Sequence, residues 1–487
     1  MKGGIMKISL SLLAFILCIV FFLSCKTADQ KDEMTITTAS DEALQLFLQG
    51  RDKWENIETV AAAELLDQAI EKDPDFALAY LYRAFTGRGY PLYRENLNKA
   101  VSLIDKISDG EKHFILFNQA GADGDGVKEK AELDRLLQLL PNDKRVQYYA
   151  GAYNYAIVDD YAKAMDHFNK VKVMDANYAP VYNLIGYCQS QLENYDQAEE
   201  AFKMYIKLVP NSPNSYDSYA ELLLKLGKYD ASIEQYQKAY ETDARYTVAL
   251  GGIGDNYVFK KDFEKARAYY QQQFDNAQNL GGKLSALFLK ITSFVHEGNV
   301  EEAIKTCEQR SSFSEENTHP PGMISSYNLA GYILTESEKF EKASEYFDKA
   351  REIIETATLS AEDKVSYTLT ADMDKCYLLT ARGDLEAANA EAERCKQIVD
   401  KRQNMEEMQT LNLYIGQLEM KKDNIDVALE HFTKADMESP YTWYYLALAQ
   451  EKKGNKEQAS NLFSKVSGWN ENSLGLALVI IRAKEKL

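Results

Sequence analysis

The segment YAKAMDHFNKV, residues 161–171, decides the fold because it recurs. Its first residue, Tyr161, is followed at 34-residue steps by Tyr195, Tyr229 and Phe263. Ala164, Ala198, Ser232 and Ala266 move in the same step, as do Phe168, Phe202, Tyr236 and Tyr270. Twelve residues before the small column stand Ala152, Gly186, Ala220 and Gly254, and four residues before those stand Tyr148, Tyr182, Tyr216 and Leu250. Five columns held in register over four units define a repeat, and repeats of this length are supersecondary units that bury their apolar faces on each other. Apolar positions three and four apart make both halves of the unit helical. Small residues in the two middle columns let the two helices approach closely, while the large outer columns fill the gap to the next unit.

The small column continues with slippage through Ala303, Ala343, Ala388, Ala428 and Ala459, at spacings of 37, 40, 45, 40 and 31. Longer helices or loops are expected between those units. Near the start, Gly50, Ala62, Leu66, Ala69 and Pro74 form a further unit. Residues 77 to 142 are degenerate, with helical patterns at Ala77–Thr86, Asn96–Ile107, Glu111–Ala120 and Lys128–Leu140 that read as two divergent pairs. Residues 473–487 form an amphipathic segment with a charged end, expected to cap the last apolar face.

This pattern resembles the tetratricopeptide repeat, a helix–turn–helix unit of 34 residues. The resemblance covers roughly residues 41–472. It implies an all-α fold, an α-solenoid wound as a right-handed superhelix of about 10–12 units. The expected organisation is a signal peptide (1–24), a lipidated flexible tether (25–40) and a partly degenerate repeat region (41–142). Four regular units (143–282), longer-looped units (283–472) and a capping helix (473–487) follow.

The N-terminus carries an address. Lys2 and Lys7 precede the apolar run ISLSLLAFILCIVFFL, residues 8–23, and Ser24-Cys25 follow it. A positive start, an apolar middle and a small residue before a break are the marks of a secretory signal. Sixteen residues fall short of the roughly 20 that span a bilayer comfortably. The placement of Cys25 resembles the lipobox of bacterial lipoproteins, although Phe22 stands where Leu is usual. That resemblance implies cleavage before Cys25 and acylation of its thiol, and a lipid-anchored protein of the bacterial envelope. Lys26 in place of an inner-membrane retention Asp favours the outer membrane, and Gln30-Lys31-Asp32-Glu33 looks like the surface-export signal of some Bacteroidota lipoproteins.

With 56 basic and 75 acidic residues the chain carries a formal charge of −19. Such a surface repels phosphate backbones and disfavours nucleic acid as a partner. No P-loop, dinucleotide fingerprint, nucleophile elbow or zincin motif is present, so no catalytic residue, cofactor or metal site is expected and the chain reads as a non-enzyme. Gly252-Ile253-Gly254 lacks a third glycine, and the five His are scattered over different units. Asp123-Gly124-Asp125 begins like a calcium loop but continues with Val127 where an oxygen ligand is needed. Cys376 and Cys395 occupy facing columns of one unit, which leaves either a disulfide or two core thiols open.

In tetratricopeptide arrays the inner groove is lined by the first helix of each unit, one and five residues after its first aromatic column. On that resemblance the candidate groove residues are Tyr149, Tyr153, Asn183, Tyr187, Asp217, Glu221 and Asp255, with Gly251, Asn328, Tyr332 and Tyr444 in similar places. Tyr and Asn supply stacking and adaptable hydrogen bonds. The family's carboxylate clamp uses Lys and Asn there, so capture of an acidic C-terminus is not expected, and an acidic groove suits a basic or neutral segment. The expected function is a lipid-anchored scaffold that binds a protein or extended peptide at the cell envelope, with a loose analogy to envelope assembly. The alternatives are an outer-membrane glycan-binding lipoprotein and an input or sensor module of a signalling complex.

Overall fold

The computed structural model describes residues 33–86, 90–402 and 404–487. The signal segment and Cys25 lie outside the described residues, as does most of the tether. Among the described residues there are 25 α-helices, one short 3-10 turn and no strand. The chain is an all-α solenoid of helix–turn–helix pairs. None of the described helices is long and apolar enough to cross a membrane. The pairs fall into two compact units, Met1–Val209 and Pro210–Leu487.

The first unit stacks five pairs. They are Asp41–Glu55 with Thr59–Lys72, Ala77–Phe85 with Tyr90–Val101, and Asp109–Ala122 with Gly126–Leu139. Lys144–Ala156 with Tyr161–Met174 and Ala179–Gln191 with Tyr195–Leu208 complete it. The second unit stacks seven, from Pro213–Lys225 with Tyr229–Thr242 to Pro440–Lys453 with Lys456–Ser467, and then a closing helix, Leu474–Lys484. We call the first helix of each pair helix A and the second helix B.

The columns read from the sequence are the seams of these pairs. Ala164, Ala198, Ser232 and Ala266 are fully buried, and so are Ala303, Ala343, Ala388 and Ala428 in the longer pairs. A methyl group at Gly186 would lie 2.5 Å from the Phe202 ring, and one at Gly254 2.3 Å from the Tyr270 ring. The aromatic ring of helix B therefore lies directly on the backbone of helix A. The same contact joins Gly331 to Phe347 and Gly416 to Phe432.

One column is corrected by a single residue. In Lys144–Ala156 it is Gly151, not Ala152, that meets the Phe168 ring, and a methyl group at Gly151 would lie 2.3 Å from that ring. The hydrogen bonds agree. Tyr182 and Tyr216 donate their hydroxyls to the carbonyls of Ala176 and Pro210, six residues back, and Trp443 donates its ring N–H to Met437 in the same way. The residue that does this in the earlier pair is Gln147, to Pro141, and not Tyr148. The turn after Lys144–Ala156 is one residue longer than the turn after Ala179–Gln191. A count backwards from helix B therefore slips.

The turns between helices carry a second period. Asp159, Glu193, Gly227 and Lys261 all adopt positive φ, between 57° and 69°. Each reverses the chain through the left-handed region, a conformation that costs non-glycine residues roughly 1–2 kcal/mol. Gly298, Glu338, Gly383, Asp423 and Gly454 repeat it further along the second unit.

Residues 34–39, read from the sequence as part of a flexible tether, run along the first unit. Met34 N–H donates to Asp143 Oδ2 at 2.7 Å, Thr37 donates from its amide and hydroxyl to Glu111 at 2.7 and 2.6 Å, and Thr38 and Ala39 donate to Asp73 at 2.5 and 2.8 Å. Burial pushes the Asp73 carboxyl up, but these donors outweigh it and hold the group below its ordinary range. Three carboxylates at helix ends thus fix a short extended strap.

Candidate functional site

The helix-A faces are the candidate surface, and the two units present them differently. In the first unit, Tyr149 packs against Phe114 with ring centroids 4.7 Å apart, and its hydroxyl lies 3.3 Å from that of Tyr82. Tyr153 is 8% exposed and lies against Phe117. The ion pair of buried Glu55 with half-buried Arg145, at 2.7 Å, sits in the same tyrosine cluster. The one-residue slip explains this placement: Tyr149 and Tyr153 are not the counterparts of Asn183 and Tyr187, and they fill the stack. Asn183 and Tyr187 are half-buried on helix Ala179–Gln191. Tyr187 stands edge-on to Phe202, and Asn183 Oδ1 is buried with no hydrogen-bond partner among the described residues.

In the second unit, Asp217 and Glu221 lie one turn apart on Pro213–Lys225. Asp217 is buried and Glu221 exposed. Burial raises the Asp217 carboxyl well above its usual range, the Glu221 charge adds to this, and the Tyr246 hydroxyl opposes it. Asp255, on Val248–Phe259, is engaged by a remote part of the chain. Its Oδ1 accepts from the Tyr270 hydroxyl and from the Asn472 side-chain amide, both at 2.7 Å. Burial pushes Asp255 up to about 6 against the pull of those two donors. Asn472 Oδ1 is also 3.1 Å from His296 Nε2, and burial lowers that imidazole to about 4. His296 is therefore neutral at pH 7.

Apart from Tyr332, the residues that organise this face escaped the sequence reading. Asn470 Oδ1 accepts from the Tyr229 hydroxyl at 2.8 Å. Glu336, at the end of Pro320–Glu336, accepts from Tyr377 at 2.7 Å and Tyr445 at 3.1 Å, from Tyr441, and from Arg482 at 2.5 Å. Beside it, Asp374 accepts from the Tyr332 hydroxyl at 2.6 Å. Burial pushes Asp374 up to about 7, against the Tyr332 bond and the Arg351 charge. These residues come from four separate helix pairs and the closing helix, and no sequence spacing links them. The one available signal was the density of Tyr on successive A helices.

The other candidate motifs have structural roles. Gly252 and Gly254 are pressed against Tyr236 and Tyr270 inside a helix. Asp125 caps Gly126–Leu139 by accepting from the Lys128 amide at 3.0 Å. Cys188, Cys307, Cys376 and Cys395 are free and buried, and Cys376 donates its thiol to the Ala388 carbonyl at 3.4 Å.

The architecture defines a class, stacked helical hairpins with a polar and aromatic helix-A face. Family models described as tetratricopeptide repeat match residues 186–247, 248–279 and 324–356. Tetratricopeptide repeats are thus detected in both units. Among curated proteins, anaphase-promoting complex subunit 3 of Schizosaccharomyces pombe is 23% identical over 232 residues, 47% of this chain and 33% of that protein. A BBSome complex member of Bos taurus is 28% identical over 26% of this chain and 23% of its own length. A tetratricopeptide-repeat protein of Methanocaldococcus jannaschii is 24% identical over 65% of this chain and 53% of its own length. The chain thus spans between about a quarter and about half of these relatives. A solved tetratricopeptide repeat protein from Parabacteroides merdae is 16% identical and covers 56% of this chain and 94% of its own, at a TM-score of 0.36.

Proposed function

We propose that the protein is a non-enzymatic scaffold that binds a protein or peptide segment on its helix-A faces, held at a bacterial cell envelope by lipid on Cys25. The observation that carries the binding reading is in the second unit. There the helix-A face already holds a helix, Leu474–Lys484, against Tyr332, Tyr377, Tyr414 and Tyr441 with Arg482 on Glu336. A face that seats one amphipathic helix has the shape and chemistry to seat another. Two of the curated relatives carry names of multi-protein complexes, which agrees with a scaffold role. Anchoring rests on the sequence of residues 8–25 alone, and outer-membrane placement follows from Lys26 by resemblance.

Photo-crosslinking from position 183 or 187 in native membranes, followed by mass spectrometry, tests the scaffold. A discrete crosslinked protein is expected, and its absence at both positions overturns the reading for the first unit. Acyl labelling of Cys25→Ala tests the anchor: label and membrane retention should both vanish, and unchanged labelling removes Cys25 as the lipid site.

A further inference from the structure

The last twenty residues of the chain lie along the helix-A face of the second unit and touch both of its ends. Trp469 packs edge-on against Trp443 of the last pair at 4.9 Å, while the Lys225 ammonium of the first pair lies 5.1 Å over the Trp469 ring. Asn470 Nδ2 donates to the Lys225 carbonyl at 3.3 Å. Asn472 binds Asp255, and Arg482 reaches Glu336.

The closing helix packs along several sides, with Ala477 buried in the cluster of Ile291, Phe294 and Val295 of Leu280–Glu297. Leu476, Val479, Ile480 and Ala483 are buried with Trp443, Phe463 and Val466 of the last pair. That side is a cap. Leu474, Leu478 and Arg482 stand four residues apart and share another stripe. Leu474 and Leu478 face the tyrosines of four A helices. A cap needs only the first side.

The second side leaves open grooves beside it. A solvent-open groove of about 200 Å³ runs beside it, lined by Leu474, Gly475 and Leu478 and by the tyrosines Tyr332, Tyr377, Tyr414 and Tyr441. A cleft of about 340 Å³ adjoins Arg482, lined by Glu336, Phe340, Gln417 and Tyr445. Gln417 is 6% exposed, and its Nε2 has no hydrogen-bond partner among the described residues. Asp374 Oδ2 nearby has none either. The face offers more apolar area and more polar partners than its own helix uses.

We propose that residues 468–487 are a displaceable plug, and that the partner of this face is an amphipathic helix of another protein with two apolar residues and one basic residue at four-residue steps. The proposal rests on the scaffold reading and names the ligand for one face. Glu336 selects the basic residue, because its carboxylate is buried among hydroxyls and needs a cation. The plug competes at the high effective concentration of a tethered segment, so only a better-fitting helix displaces it.

The test uses the full chain and a labelled synthetic peptide of residues 468–487. Arg482→Glu combined with Asn472→Ala removes the bonds to Glu336 and Asp255; on the cap side it leaves Leu476, Val479, Ile480 and Ala483 in place and removes only the Arg482 contact with the Tyr444 ring. The peptide is expected to bind this variant at least about ten-fold more tightly than the unmodified chain. Equal affinity for the two chains overturns the plug. Should the variant fail to fold, hydrogen exchange on the unmodified chain decides. Amides of 474–484 exchanging at least about ten-fold faster than those of 440–453 support the plug, and equal protection overturns it. A protein crosslinked to the second unit equally well in both chains would keep the scaffold and remove the plug.

Discussion

Asn472 donates its side-chain amide to Asp255 Oδ1 at 2.7 Å across a sequence separation of 217 residues. This contact ties the approach to the closing helix to the second pair of its unit. It also places a carboxyl group where burial raises it to about 6. The unfolded carboxyl titrates near 3.9. A folded value above the unfolded one means that stability is fully present below about pH 4 and is lost as pH rises through about 6.

Asp255→Asn should therefore stabilise the second unit at pH 8 by roughly 1–3 kcal/mol and have little effect at pH 4. Urea melts of both proteins across that range check it. A gain that does not depend on pH would show that charge at Asp255 is not the cause.

The strap at residues 34–39 has the opposite sign. Asp73 is held below its ordinary value, so its contribution is present at neutral pH and fades as pH falls through the acid range. Thr38→Val removes the hydroxyl bond to Asp73 and should cost about 1–3 kcal/mol of local stability. Limited proteolysis between residues 33 and 40 should speed up in the variant. An unchanged cleavage rate would mean that the strap is held elsewhere.

Overpacking tests the seam. Gly186→Val would drive a branched side chain into the Phe202 ring, which already lies 2.5 Å from the position of a single methyl. A loss of about 1–3 kcal/mol or more is expected. A melting curve identical to that of the parent would contradict the helix A–helix B contact.

Backbone freedom is separable from packing at Gly383. Its φ is +93°, and no heavy atom lies within 4 Å of a methyl built there. Gly383→Ala should cost about 1 kcal/mol through conformation alone. Glu338, with φ of 57°, is the non-glycine counterpart, and Glu338→Gly should be neutral or slightly stabilising. Thermal melts of both variants beside the parent check the pair, and an unchanged midpoint for Gly383→Ala would contradict the left-handed turn.

The fold class was written in the chain because a repeat states its packing rule many times over. Ala198 facing Phe202's turn of helix, with Gly186 beneath that ring, is a local relation, and a column of such residues survives in any register count. The slip at Gly151 shows the limit of counting. One added residue in a turn left every helix intact but moved Tyr149 and Tyr153 from an expected groove into the stack. Tyr149 and Tyr153 lie on an A helix, as Asn183, Tyr187, Asp217, Glu221 and Asp255 do, but only the later units keep the 34-residue step.

What only the tertiary structure decided is where distant segments meet. Helical periodicity reports which side of Leu474–Lys484 is apolar, but that helix is apolar on several sides, and nothing local says that Leu478 and Arg482 turn toward Tyr377 and Glu336. The curvature of seven stacked pairs brings Lys225 and Trp443 within reach of one tryptophan. Curvature sums small rotations at every pair interface, and no single stretch of sequence encodes that sum.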